Sequence, residues 1–154
     1  MAYKLRHNYT LGGILMGLAC IYMGTMMLKS GYEFYGPMFQ AYRKWLFPWL
    51  KNRLTPAWTW DDLGQLVINI HGIIMCITGL LIMTGSKVVG PCLLIFEMEL
   101  MMVLQDNPFI TEHIKPTPKS TKYRWDNLFR HISVIGVAVL LMAAPVVSDE
   151  AEEE

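Results

Sequence analysis

Ionisable side chains interrupt apolar stretches in which charge is costly, among them His71 within residues 63–84, Glu97 and Glu99 within 88–104, and His131 beside Arg130 within 128–147. A histidine and a carboxylate held together can share or pass a proton. Two histidines can ligate a haem iron from either side. A carboxylate left over can meet a cation on another chain. A charge at the centre of a bilayer costs at least about 2.5–3.5 kcal/mol, so such groups face protein or water rather than lipid.

Spacing narrows these options. Residues 63–84 and 88–104 are joined by Gly85-Ser86-Lys87, a turn so short that the two segments must run antiparallel as neighbours. At about 1.5 Å of rise per helical residue, His71 lies roughly 12 Å from the ends nearer the basic loops, and Glu97 roughly 11 Å. The two are level on adjacent helices, and they form the candidate intramembrane polar pair. Glu99 falls level with Asn69 and within a turn of His131, and both Glu99 and His131 are candidate contacts for a partner. Residues two apart on a helix diverge by about 200°, so Glu97 and Glu99 cannot face the same neighbour.

Four uses compete for these groups: buried acids that fix packing, contact with a partner's cation, a proton relay or quinone-binding pair, and bis-histidine haem ligation through His71 and His131. The unequal depths of the two histidines disfavour the haem. No Ser-His-Asp arrangement, phosphate-cradling glycine loop or metal-ligand cluster is present, which predicts a chain without catalytic residues, cofactor or metal. Cys20, Cys76 and Cys92 all lie inside apolar segments without zinc spacing and read as small buried hydrophobes.

The elements that must position these residues are helices. In 154 residues, 53% hydrophobic, the charges gather outside four apolar blocks at about 10–29, 63–84, 88–104 and 128–147. Blocks near 20 residues suit a bilayer's hydrocarbon core. The predicted fold is an all-α membrane protein: a four-transmembrane-helix bundle forming one domain over residues 1–147, with an acidic tail at 148–154. Gly13 and Gly17 form a G-x-x-x-G in the first block, which lets membrane helices approach closely. The N-terminus lacks the small-residue cleavage site of a secretory signal, so the first block is expected to stay as an anchor.

Between the first two blocks, aromatic and basic residues alternate. Over residues 38–54, Arg43, Lys44, Trp45, Trp49, Lys51 and Arg53 take helical spacing among apolar residues. That pattern predicts an amphipathic helix in the membrane interface, bent at Pro48 and in contact with lipid rather than nucleic acid. Of the 13 Lys and Arg residues, Lys4, Arg6 and Lys87 lie in the head and the short turn, and the others lie in or beside the two longer loops. The positive-inside bias puts those loops on the matrix or cytoplasmic side and both termini opposite.

IYMGTMML in the first block, AYRKWLFPWLK in the loop, the glycine-containing second block and the DNP that closes the third together resemble the DoxX-like family of small four-helix membrane proteins. The resemblance spans roughly residues 11–108. Met27 stands where that family often has a lysine, and Met75 where it often has a glutamate, so roles tied to those charges do not carry over. Family members range from quinone-linked oxidation partners to chaperones, and a shared fold carries little functional weight. The function expected is that of a non-catalytic accessory subunit of a larger membrane complex, foremost a mitochondrial respiratory-chain complex in the inner membrane. Its partners would be lipids and other subunits, with no nucleic acid, and a homodimer is not expected. The alternatives are an assembly chaperone or receptor of the endoplasmic reticulum, and a small membrane partner of a quinone-linked oxidoreductase.

Overall fold

The computed structural model describes the backbone of residues 2–43, 59–104, 107 and 118–143, and most of their side chains from residue 11 onward. The described chain is all helical: α1 (Ala2–Ala41), α2 (Trp60–Met83), α3 (Val89–Leu104) and α4 (Pro118–Ala143). Three stretches are long and apolar enough to cross a membrane: Leu11–Glu33, Trp60–Met83 and Arg124–Ala143. The remaining helix, α3, is equally apolar but has only 16 residues. That is about 24 Å of rise against a hydrocarbon core of about 30 Å.

Helix α1 differs from its sequence expectation. It continues past residue 29 to Ala41, through a stretch read as loop. Its buried positions explain the continuation. Gly13, Gly17, Cys20, Gly24, Met27 and Gly31 alternate at spacings of four and three, a 3.5-residue repeat that keeps one face against a neighbouring helix. Beyond Gly31, aromatic rings take over the contact. Phe39 stacks on Trp60 with ring centroids 4.5 Å apart, and the indole N–H of Trp60 donates to the Phe39 carbonyl at 3.3 Å. The Tyr32 hydroxyl donates to Asp61 at 2.6 Å, and Gln40 donates to the same carboxylate. Tyr42 reaches the Val103 carbonyl and so ties the end of α1 to the end of α3. These rings pack on their own chain. The interfacial helix expected over 38–54 overlaps α1 at its first residues; Lys44, Trp45, Trp49, Lys51 and Arg53 lie outside the described residues, and Arg43 is exposed.

Helices α1 and α2 are interlocked by glycine. A Cβ at Gly17 would lie 2.6 Å from the Gly79 carbonyl oxygen, and one at Gly24 would lie 2.6 Å from that of Gly72. The two crossings are seven residues apart on each helix, so the backbones touch twice along an antiparallel seam. Thioethers fill the space around them: Met27, Met75, Met98 and Met101 belong to the buried core, with Cys20, Ile68, Ile82, Leu94 and Ala138. An unbranched, flexible side chain suits the irregular gaps that glycine leaves.

The ends of α2 are fixed by local chemistry. Thr59 and Asp62 form a reciprocal capping box at its start. At its end Gly85 adopts φ 85°, a conformation glycine takes without a steric penalty. The Ser86 N–H then donates to the Leu81 carbonyl at 2.9 Å, closing the helix before the chain reverses. The Ser86 hydroxyl accepts from the Gly90 N–H at 3.2 Å in the first turn of α3. Pro91 follows where a missing donor costs nothing. Helix α3 packs between α2 and α4. Helix α4 starts ten residues before the expected 128 and presents Arg124, His131 and Ala138, seven apart, as its buried line. Residues 144–147, expected to complete that span, lie outside the described residues.

Candidate functional site: the two acids of the third helix

The tight reversal at Gly85 sets the register of α2 against α3, and that register brings His71 and Glu97 together. Nε2 of His71 meets Oε2 of Glu97 in a close polar contact, with the two side chains 3% and 0% exposed. The contact lacks the directed geometry of a hydrogen bond, and among the described residues Glu97 Oε1 also has no hydrogen-bond partner. Thr78 Oγ1 is buried without a partner in the same way. Thr78 stands seven residues after His71, two helical turns along the same line of α2. Sequence reading passed over it, although the seven-residue repeat from His71 points to it.

Both charges of an ion pair lose hydration when buried, and Coulomb attraction offsets that loss only when the geometry is good. A carboxylate and an imidazole holding one proton between them stay net neutral wherever the proton sits, so burial of this pair costs far less than burial of either charge alone. Both side chains are closed to solvent.

Glu99 faces the other way. The buried line of α3 is Gly90, Leu94, Glu97 and Met101, and the exposed line is Cys92, Phe96, Glu99 and Val103. Asn69, expected level with Glu99, is half-buried and accepts a 2.9 Å hydrogen bond from Gln65 on its own helix. His131, expected within a turn of Glu99 in depth, is 7% exposed and turned into the chain. The contact of Cys92 Sγ with Met142 Sδ at 3.7 Å sets the register of α3 against α4 and places Glu99 level with Ile135, just over one turn from His131. Of the two candidate partner contacts, Glu99 is outward and His131 inward.

Among the described residues, no three His, Cys, Asp or Glu side chains come close enough to hold a metal ion. Comparisons with protein-family models, with curated proteins and with solved structures find no significant match to this chain.

Proposed function

We propose that this protein is a non-catalytic accessory subunit of a larger membrane complex, with a mitochondrial respiratory-chain complex as the first case to test. The carrying observation is the sealing of the His71–Glu97 pair between α2 and α3, where it serves packing and is closed to a substrate. The outward surfaces favour the same reading. Only 11% of the α4 span is buried within the chain, against 39% of the α2 span, so α4 takes most of its cover from lipid or from other helices. We further propose that α3 is a fourth crossing, thinner than its neighbours, with both termini on the side opposite the two basic loops. A four-helix arrangement of this kind is what the resemblance to the DoxX-like family implies.

Blue-native electrophoresis of gently solubilised membranes tests the reading. Stable co-migration with a respiratory complex is the expected result. Transient association with maturing membrane proteins would favour an assembly chaperone, and a co-purifying quinone or redox spectrum would favour an oxidoreductase partner.

A further inference from the structure

We infer that the His71–Glu97 pair is a proton-sensitive latch between α2 and α3. While the pair shares one proton it holds the two helices together. A second proton, added from bulk water to the Glu97 carboxylate, loosens α3 around it. This holds whether or not the chain is a subunit of a larger complex.

Three observations carry it. The pair joins two helices at the middle of the shorter one, where Glu97 is the ninth of the 16 residues of α3. Its surroundings are apolar: Met75, Leu94, Met98 and Met101 belong to the same buried core. Second, the helices are held in different ways. Helices α1 and α2 touch backbone to backbone at two glycine crossings, and the Cys76 thiol donates to the Ile21 carbonyl between them at 3.8 Å. Helix α3 has polar ties at its ends, from the Gly90 N–H to Ser86 and from the Tyr42 hydroxyl to the Val103 carbonyl, and the pair at its middle. Third, among the described residues neither Glu97 oxygen nor His71 Nε2 has a hydrogen bond from any other group. A change of charge at one member is therefore offset only by the other.

A second proton leaves a neutral acid beside an imidazolium. That is a net positive charge sealed in apolar surroundings, without the carboxylate that had offset it. The closed pair therefore excludes the second proton, while a molecule in which α3 has moved off α2 and admitted water accepts it. A proton that binds one state better than the other shifts the population toward that state. Other groups around the same core titrate or carry charge. Cys20 faces it from α1, and its thiol stays neutral in acid. Tyr32, also packed against it, has its hydroxyl on Asp61, ten residues before His71 on α2. On the buried line of α4 stand Arg124, charged throughout, and His131. By the Cys92–Met142 register Glu97 is level with Val137, so His131 lies six residues away, roughly 9 Å along the axis. Glu99 faces outward. His131 is the rival that the test must separate.

The test uses the full-length chain reconstituted in vesicles, with Cys20, Cys76 and Cys92 replaced. Spin labels are placed on cysteines introduced at Tyr22 with Phe96 and, separately, at Tyr22 with Ile77, all three exposed. The first pair of labels spans α1 and α3, and the second spans α1 and α2. Lowering the pH from neutral should broaden the first distance distribution reversibly and leave the second unchanged. His71→Gln, and the double variant His71→Gln with Glu97→Gln, should each lose the broadening, because acid then creates no buried positive charge at the site. His131→Gln should keep it. Melting curves at neutral pH show which of the two His71 variants is folded, and either one suffices for the comparison. An unchanged first distribution, equal broadening of both, broadening that survives in a folded His71 variant, or its loss in His131→Gln would each overturn the inference.

Discussion

Glu97 and Glu99 stand two residues apart on α3 and face opposite ways, Glu97 fully buried against His71 and Glu99 exposed. About 200° of helical rotation separates them, so the same short motif places one acid in the fold and the other on the surface. Their substitutions should therefore have different consequences.

The His71–Glu97 contact should appear as coupling. In a double-mutant cycle with His71→Leu and Glu97→Leu, each single change strands a buried polar partner, and the double change removes both. We expect each single variant to lose about 1–3 kcal/mol, with the double variant less destabilised than the sum. Glu97→Gln should be mild, because the amide still offers polar atoms to His71. Denaturant unfolding in a fixed detergent measures all of these, and strict additivity would show that the two side chains do not act together.

The glycine seam should be intolerant at its crossings and tolerant elsewhere. Gly79→Ala puts a methyl where a Cβ would lie 2.5 Å from the Gly17 carbonyl, so the two backbones must separate. A loss of about 1–3 kcal/mol is expected, as for other overpacked interiors. At Gly136 a Cβ meets nothing within 4 Å, so Gly136→Ala should be neutral or slightly stabilising through helix propensity. Equal effects at the two positions, read from melting curves, would contradict the interlock.

How far the sequence disclosed this arrangement depended on what fixed each distance. The meeting of His71 and Glu97 was legible because a short glycine turn sets the register and helix rise does the rest. The G-x-x-x-G at Gly13 and Gly17 pointed to a close helix pair. The tightest approaches came instead at Gly17 and Gly24, seven residues apart, because an antiparallel seam with a 3.5-residue repeat returns to contact every two turns. The extension of α1 to Ala41 was not legible, because the apolar block ends at Lys29 and the contacts that carry the helix on, those of Tyr32 and Phe39 with α2, join residues far apart in sequence. That His131 would be turned inward was not legible, since the buried line Arg124, His131 and Ala138 appears only once α4 is packed against its neighbours.

The capping box at Thr59 holds the start of α2 under the Phe39–Trp60 stack. Thr59→Ala removes the hydroxyl that accepts from the Asp62 N–H and should cost about 0.5–2 kcal/mol. Hydrogen exchange should then accelerate at the first turn of α2 and leave the Gly17–Gly79 crossing unchanged. Unaltered exchange in that first turn would show that packing alone holds it.

The proposed topology has its own check. Single cysteines introduced within residues 44–58 and within the tail 148–154, in a background with Cys20, Cys76 and Cys92 replaced, should label from opposite sides of sealed vesicles. Labelling from the same side would remove α3 as a membrane crossing.

The division of labour between the two acids is tested most directly by the melting temperatures of Glu97→Leu and Glu99→Leu, purified in the same detergent. Glu97→Leu should melt well below the wild type, by the equivalent of about 1–3 kcal/mol, because His71 is left buried without its partner. Glu99→Leu should melt within about 0.5 kcal/mol of the wild type, as changes on an exposed face usually do. A Glu99→Leu protein as destabilised as Glu97→Leu, or a Glu97→Leu protein that melts with the wild type, would contradict the assignment of one acid to the fold and the other to the surface.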